Sequence, residues 1–415
     1  MTPNQLRVVA SLALAILALA CSPASVTPTP DASTTAAITP RDLEVRLTAF
    51  AHDSMMGRAA GSFWGDKASD YVAMQFARLG LEPAGENGSW FQVVPNINPR
   101  DTSMQRGSAR NVIGIIRGSD PALRGQYVSI TAHNDHIGYS RRPLNHDSII
   151  AFNTIVRPLG ADSPNRPATP AEIVRIRTMI DSTRPVCYRW DGQIDCSRLY
   201  QPGRPDSIFN GADDDGSGTI ALIEMAEAFM KGGVRPKRSI LFVSHTAEEV
   251  GLRGSQWYTD HPTVPIDSIV AEIDVDMIGR GGAVDRPGGG PTYLEVVGLR
   301  RLSKEFGDWF EASNAKEKLP FVFNFEYDAP GHPQQYYCRA DHYSYARYGI
   351  PSVSISRGAH RDYHQVTDES QYIGYTDYAR LTQMVFNAAT AVANADHRPR
   401  LDAPKPTNPK APCRQ

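Results

Sequence analysis

The chain has 415 residues, 41% hydrophobic and 21% charged, which is the composition of a globular protein and too apolar for a disordered one. A formal charge of −2 gives no field to hold a polyanion, so a basic nucleic-acid binder is excluded. Beyond residue 20 no apolar run approaches the roughly 20 residues of a membrane span, which excludes a polytopic membrane protein.

In chain order, a short basic start, MTPNQLR, leads into an apolar stretch at residues 8–20, the layout of a signal peptide over 1–20. It ends in Ala18-Leu19-Ala20-Cys21. This order is similar to a bacterial lipobox, in which Cys21 carries a lipid anchor; Ala18-x-Ala20 also fits plain signal cleavage. The expected location is the exported face of a bacterial envelope, lipid-anchored, or otherwise periplasmic or secreted. Residues 21–40, rich in Pro, Ser, Thr and Ala, read as a disordered tether.

Residues 66–79 carry Ala68, Tyr71, Val72, Phe76 and Leu79 at helical spacing, and Gly80 stops that helix. Strands are predicted over 111–116, 126–132, 239–244, 268–275, 292–297 and 351–356. Helices are predicted over 219–230, 302–312 and 376–395. The strands are continuously apolar, so the sheet is covered on both faces. Their alternation with helices predicts an α/β fold with a largely parallel sheet. Two stretches break the rhythm. Residues 139–204 are polar and rich in Arg, Pro and Asp, too long for an ordinary connection. Residues 397–415 read as a flexible tail after a main domain over 41–396. Five cysteines suit export; apart from Cys21 they are Cys187, Cys196, Cys338 and Cys413. Cys187 and Cys196 lie close enough in sequence to staple a local loop. No C-x-x-C occurs, so a thiolate zinc site is not suggested.

Acidic and histidine clusters fall at the ends of these elements. His133-Asn134-Asp135-His136 follows one strand, and Glu248-Glu249 another. Asp276 follows a third, and Asp213-Asp214-Asp215 opens the helix at 219. Tyr363-His364 and Asp368 follow the last strand. Taken singly, each has a bland reading: a hydrogen-bonded strand-end histidine, a solvated acidic pair, a turn residue. Jointly they are what a metal site beyond the carboxyl ends of the strands requires.

The motifs AHNDHIG (132–138), NGADDDGSG (210–218), AEEVGLRGS (247–255), VDMIGR (275–280), ADHYSYARYGIPSVS (340–354) and DYHQVTDE (362–369) resemble the exported di-zinc exopeptidases. That family includes bacterial leucyl aminopeptidase, aminopeptidase Y and glutamate carboxypeptidase. FAHDSMMGRAAGS (50–62) resembles its N-terminal segment, and the resemblance covers about 45–395 apart from 139–204. It implies a three-layer α/β/α sandwich with a mixed, largely parallel sheet. It implies a zinc metallopeptidase that hydrolyses peptide substrates, most simply an aminopeptidase, with two zinc ions. His133 and His364 are then the histidine ligands, one to each ion. Asp214 bridges the two, and Glu249 and Asp276 complete the set. Glu248 is the general base, Asp135 orients His133, and Asp368 has a supporting part. Tyr337 matches a tyrosine that some relatives hold near the oxyanion. The residue types suit this chemistry, because a shared carboxylate lets two close cations coexist. Glu248, whose neighbour ligates, stays free to move a proton. This sequence departs from the family at Gly216, more often Ala, and in the length of 139–204, which enters beside the site and would either cap the cleft or decorate the periphery.

Other readings remain open at this point. A glutamate-type carboxypeptidase or a single-zinc glutaminyl cyclase has the same fold. An inactive ligand-binding relative should lack metal ligands. Asp213, Asp215, Ser217, Gly218 and Glu224 also match the spacing of a calcium-binding EF-hand loop, but Pro202, Gly203, Pro205 and Gly211 leave no entering helix. No serine sits in G-x-S-x-G, so a serine hydrolase has no support.

Overall fold

The computed structural model describes residues 34–99, 104–181, 188–190, 193–195, 205–233 and 235–415. The signal segment, Cys21 and the Cys187–Cys196 pair lie outside the described residues.

The described chain begins with α1 (Pro40–Phe50), α2 (Phe63–Leu79), β1 (Glu82–Pro83), β2 (Phe91–Val93), β3 (Arg110–Ile116) and β4 (Tyr127–His133). The inserted region holds β5 (Tyr139–Asn145), α3 (His146–Val156), α4 (Pro170–Asp181), β6 (Tyr188–Trp190), β7 (Gln193–Asp195) and β8 (Pro205–Ile208). Then come α5 (Gly218–Lys231), β9 (Ser239–His245), α6 (Arg253–Asp260), β10 (Ile269–Val275) and β11 (Tyr293–Val297). The last elements are α7 (Lys304–Asn314), β12 (Val322–Asn324), α8 (His342–Ala346), β13 (Ser352–Ser356) and α9 (Tyr375–Asn394).

The main sheet runs β1-β3-β9-β4-β10-β13-β11-β12, with β2 also on β3. Its centre, β9-β4-β10-β13, is parallel, while β3 and β11 are antiparallel to their inner neighbours. The sheet is therefore mixed and largely parallel, as read from the sequence. On β9 every residue is buried, and alternate side chains serve opposite faces. Ile240 and Phe242 join a core with α1, α2, α5, α7 and α9. Leu241 and Val243 pack with Tyr258 of α6 and Tyr345 of α8 on the other face.

Helix α1 was not among the predicted elements. Thr39 caps it by accepting from the Asp42 amide at 3.1 Å, and Leu43, Leu47 and Phe50 form its buried stripe. Just before it, Thr34 is buried and donates to Glu227 at 2.8 Å, so the expected tether ends earlier than residue 40. The calcium-loop reading fails here: Glu224 lies buried within α5 and pairs with Arg46.

Residues 397–415, expected as a flexible tail, are tied to the body. Cys413 is disulfide-bonded to Cys338. Gln415 accepts from the Tyr337 amide at 3.2 Å and donates to the Tyr327 carbonyl at 2.5 Å. Clipping a chain at such a separation removes entropy from the unfolded state. Replacing Cys338 and Cys413 together by Ser should therefore destabilise the protein by about 2–4 kcal/mol. Urea unfolding checks this, and coincident midpoints for variant and parent would refute it.

Candidate metal centre

Four adjacent parallel strands bring their carboxyl ends to one edge, and the candidate residues stand just beyond them. β4 ends at His133, in register with His245 at the end of β9. After β9 the chain turns through Ala247, at φ 59°, into Glu248 and Glu249. β10 runs directly into Asp276, and the segment after β13 carries His364, held at φ 57°. A tight turn at 212–217 delivers Asp214 ahead of α5, with a cis peptide between Asp214 and Asp215.

These residues converge. His133 Nε2 lies 3.2 Å from Asp214 Oδ1, 3.8 Å from Asp276 Oδ1 and 3.9 Å from Glu248 Oε2. His364 Nε2 lies 3.0 Å from Asp214 Oδ2 and 3.1 Å from Glu249 Oε2. Asp214 thus offers one oxygen toward each histidine. The buried Oδ1 of Asp276 accepts no hydrogen bond, as expected of an atom reserved for a cation. Imidazole nitrogen and carboxylate oxygen are donors that suit zinc.

The three consecutive aspartates divide the labour. Asp215 accepts from the amides of His133 (3.0 Å), Gly218 (2.8 Å) and Met277 (3.1 Å), tying together three segments of the site. Although it also lies near His133 and Asp276, those amides already claim its oxygens. Asp213 accepts from the Gly279 amide at 2.6 Å and from Ser217 Oγ at 2.9 Å. Only Asp214 is left to face the histidines. Asp368 accepts from the amides of Asp213 and Asp214 at 3.0–3.1 Å and so steadies the turn that carries Asp214. Gly218 is required by close approach, since a Cβ there would stand 1.9 Å from the Val275 carbonyl oxygen.

Asp135 holds His133 differently from the expectation. The nearer partner of His133 Nδ1 is the Asp135 backbone carbonyl at 3.1 Å, while its carboxylate is 3.7 Å away. That carboxylate accepts from the Glu248 amide at 3.2 Å, so Asp135 links the histidine to the proposed base. Burial, reinforced by Glu249, pushes the Asp135 carboxyl up to about 6 despite His133. Glu248 rises well above the carboxylate range because it is buried, and Glu249 beside it adds to the rise. Burial opposes a charged His364, but Glu249 and Asp214 outweigh it and raise the imidazole to about 11. His133 is raised for the same reason, with Asp214 the leading partner.

Three further residues were not assigned from the sequence. His136, buried, places Nδ1 2.7 Å from Glu249 Oε1 and 3.7 Å from Asp214 Oδ2. The tetrapeptide HNDH contained it, but nothing local separates it from a packing histidine. Tyr363 packs its ring 4.0 Å, centroid to centroid, from that of His364 and lines the cleft with Asp214, Glu248 and Asp276. Tyr336 lines the same cleft. Tyr337 does not: its ring packs with Val297 and Ala346 beneath Arg301, 3.9 Å from the guanidinium carbon. In this turn the neighbouring side chain, Tyr336, is the one directed at the cleft, so the expectation for Tyr337 is corrected.

The inserted region borders the site. Asp162 lines the cleft, accepting from the Tyr336 hydroxyl and standing 3.4 Å from the guanidinium of Arg339. Tyr139 and Arg141 line an adjoining recess of about 430 Å³ beside His136 and Glu249.

Solved structures share this architecture at low identity. The zinc aminopeptidase BSAP of Bacillus subtilis aligns with 86% of this chain and 95% of its own at a TM-score of 0.53 and 14% identity. A glutaminyl cyclase of Porphyromonas gingivalis aligns with 84% and 97% at 0.54 and 17% identity. The fold is that of the zinc exopeptidases. Residues 190–389 match the profile of Peptidase family M28. Leupeptin-inactivating enzyme 1 of Streptomyces exfoliatus is 25% identical over 208 residues, 49% of this chain and 42% of the relative. A probable leucine aminopeptidase 2 of Aspergillus oryzae is 29% identical over 164 residues, 38% and 30%. The chain spans less than half the length of these two curated relatives.

A metal ion needs neutral imidazoles, and raised values mean that His133 and His364 hold protons at pH 7 in the metal-free protein. Zinc loading at pH 7 should therefore release protons, and apparent affinity should rise with pH. Calorimetry in buffers of different ionisation enthalpy measures the release; a buffer-independent heat would contradict this assignment.

Proposed function

We propose that the protein is an exported zinc exopeptidase that removes N-terminal residues from peptides. Two zinc ions would be held by His133, Asp214 and Asp276 and by Asp214, Glu249 and His364. The observation that carries this reading is Asp214 facing both histidines while Glu248 stands in the cleft outside either set. Zinc bound there supplies Lewis acidity toward a peptide carbonyl and toward water. The Asp135 carbonyl accepts the Nδ1 proton of His133, which leaves Nε2 free as a donor to metal. Glu248, its affinity for protons raised by burial, accepts the proton of the attacking water and delivers it to the leaving amine. Tyr363, with Met277, Val297 and Tyr336, forms the wall against which the substrate is oriented. Relatives named leucine aminopeptidase and aminopeptidase Y support the choice of the amino end. The order Ala18-Leu19-Ala20-Cys21 supports export with a lipid anchor on Cys21.

A panel of peptides with free or blocked ends, run on zinc-loaded protein, tests the reaction. Hydrolysis should require a free amino terminus. Cleavage that instead requires a free carboxyl terminus, or cyclisation of N-terminal glutamine without hydrolysis, would replace this reading.

Glu248 and Glu249 are adjacent and chemically alike, yet should fail differently. Glu248→Gln should keep its zinc and lose about 10²–10⁴ in kcat, the usual cost of a general base. Glu249→Ala should lose zinc as well as rate. Metal content and steady-state kinetics decide, and the opposite pattern would transpose the two roles.

A further inference from the structure

The inserted region is joined to the metal centre's support by a second convergence of donors. β5 and β8 pair antiparallel, with Leu144 opposite Asp206 and Asn145 opposite Pro205, so the two ends of the insertion lie side by side. His146 opens α3 there, behind an Asn145 cap that accepts from the Ser148 amide at 2.9 Å. Glu369 approaches from elsewhere in the chain, directly after the Asp368 that holds the Asp213 and Asp214 amides.

His146 Nε2 lies 2.8 Å from Asp206 Oδ2 and 3.5 Å from Glu369 Oε1. One donor atom from each residue falls within 4.8 Å of the others, and the three residues are 3%, 5% and 8% exposed. The other carboxylate oxygens are engaged elsewhere: Asp206 Oδ1 accepts from the Ile208 amide at 2.9 Å, and Glu369 Oε2 from the Gln371 side-chain amide. Each carboxylate therefore presents its second oxygen to the imidazole nitrogen. A single Nε2–H can be directed well at only one of two carboxylates, whereas a cation takes the nitrogen lone pair and both oxygens. Ligand atoms about 2.0–2.1 Å from a tetrahedral zinc stand roughly 3.3–3.4 Å apart. The observed 2.8 and 3.5 Å straddle that spacing. One histidine with two carboxylates also repeats the donor set of the main centre.

We propose that His146, Asp206 and Glu369 form a further zinc site that staples the insertion to the segment supporting Asp214. Its burial, and the absence of all three residues from the cleft lining, separate it from the cleft; three protein donors leave the fourth position of a tetrahedral ion to water. This inference goes beyond the proposed peptidase activity and does not depend on it.

The test is zinc stoichiometry. The full chain and the variants His146→Ala, Asp206→Asn and Glu369→Gln are loaded with zinc, desalted and measured by elemental analysis. The parent should exceed each folded variant by one zinc per chain. The same difference should persist when Glu249→Gln and Asp276→Asn are also present, which separates this site from the main centre. Zinc should also slow tryptic cleavage after Arg175 and Arg177 in the parent more than in the variants. If His146→Ala does not fold, the two size-preserving variants decide. Equal zinc content in the parent and in Asp206→Asn and Glu369→Gln would overturn the proposal.

Discussion

Carboxylates crowded out of water repel one another, and the rest of this structure depends on how that repulsion is managed. Asp135, Asp214, Asp215, Glu249 and Asp276 surround the centre, and burial pushes Asp135, Asp215 and Asp276 up. Asp214 and Glu249 go the other way, because His133, His136 and His364 outweigh their burial. Arg58 supplies a fixed countercharge. It is fully buried, and burial lowers its guanidinium to about 10 although Asp368, Asp135, Asp214 and Asp215 all oppose that shift. Its hydrogen bonds go to backbone carbonyls, those of Asn134 (3.1 Å), Asn210 (2.5 Å) and Gly211 (2.8 Å). The cation thus compensates charge through space while fixing the two loops that carry His133 and Asp214.

The same economy governs the neighbouring acids. A buried carboxylate is tolerable when amide protons point at it. Asp215 collects amides from the end of β4, the start of α5 and the loop after β10, which offset part of its burial and lock the three segments together. Asp368 does the same for the turn that presents Asp214. Rigid donors of this kind allow a site to be preorganised for a cation without collapsing in its absence.

The cleft wall is built from parts remote in sequence. Tyr336 and Arg339 flank Cys338, whose bond to Cys413 anchors that turn through the C-terminal segment. Asp162 reaches the same wall from the insertion and receives the Tyr336 hydroxyl. The cleft is therefore walled by segments outside the common sheet, in keeping with loops that carry function on a rigid scaffold.

The sequence by itself determined the six longer strands of the sheet and the helices α2, α5, α7 and α9, because burial on one or both faces imposes a period that can be read locally. β9 and α9 are clear examples, predicted within a residue of where they stand. It also pointed to the residues that the fold brings together at one sheet edge, because histidines and carboxylates recur immediately after its apolar strands. Tertiary structure alone decided which neighbour faces inward. Asp213, Asp214 and Asp215 are identical in type, and only the amides of Gly218, Gly279, Met277 and His133 separate them. Tyr336 and Tyr337 differ only in the direction of a turn held by Cys413 and Gln415, residues over seventy positions away in the chain. His136 meets Glu249 because two strands end side by side, and α3 meets Glu369 because β5 pairs with β8. Contacts of that range leave no periodic trace in the segments that make them.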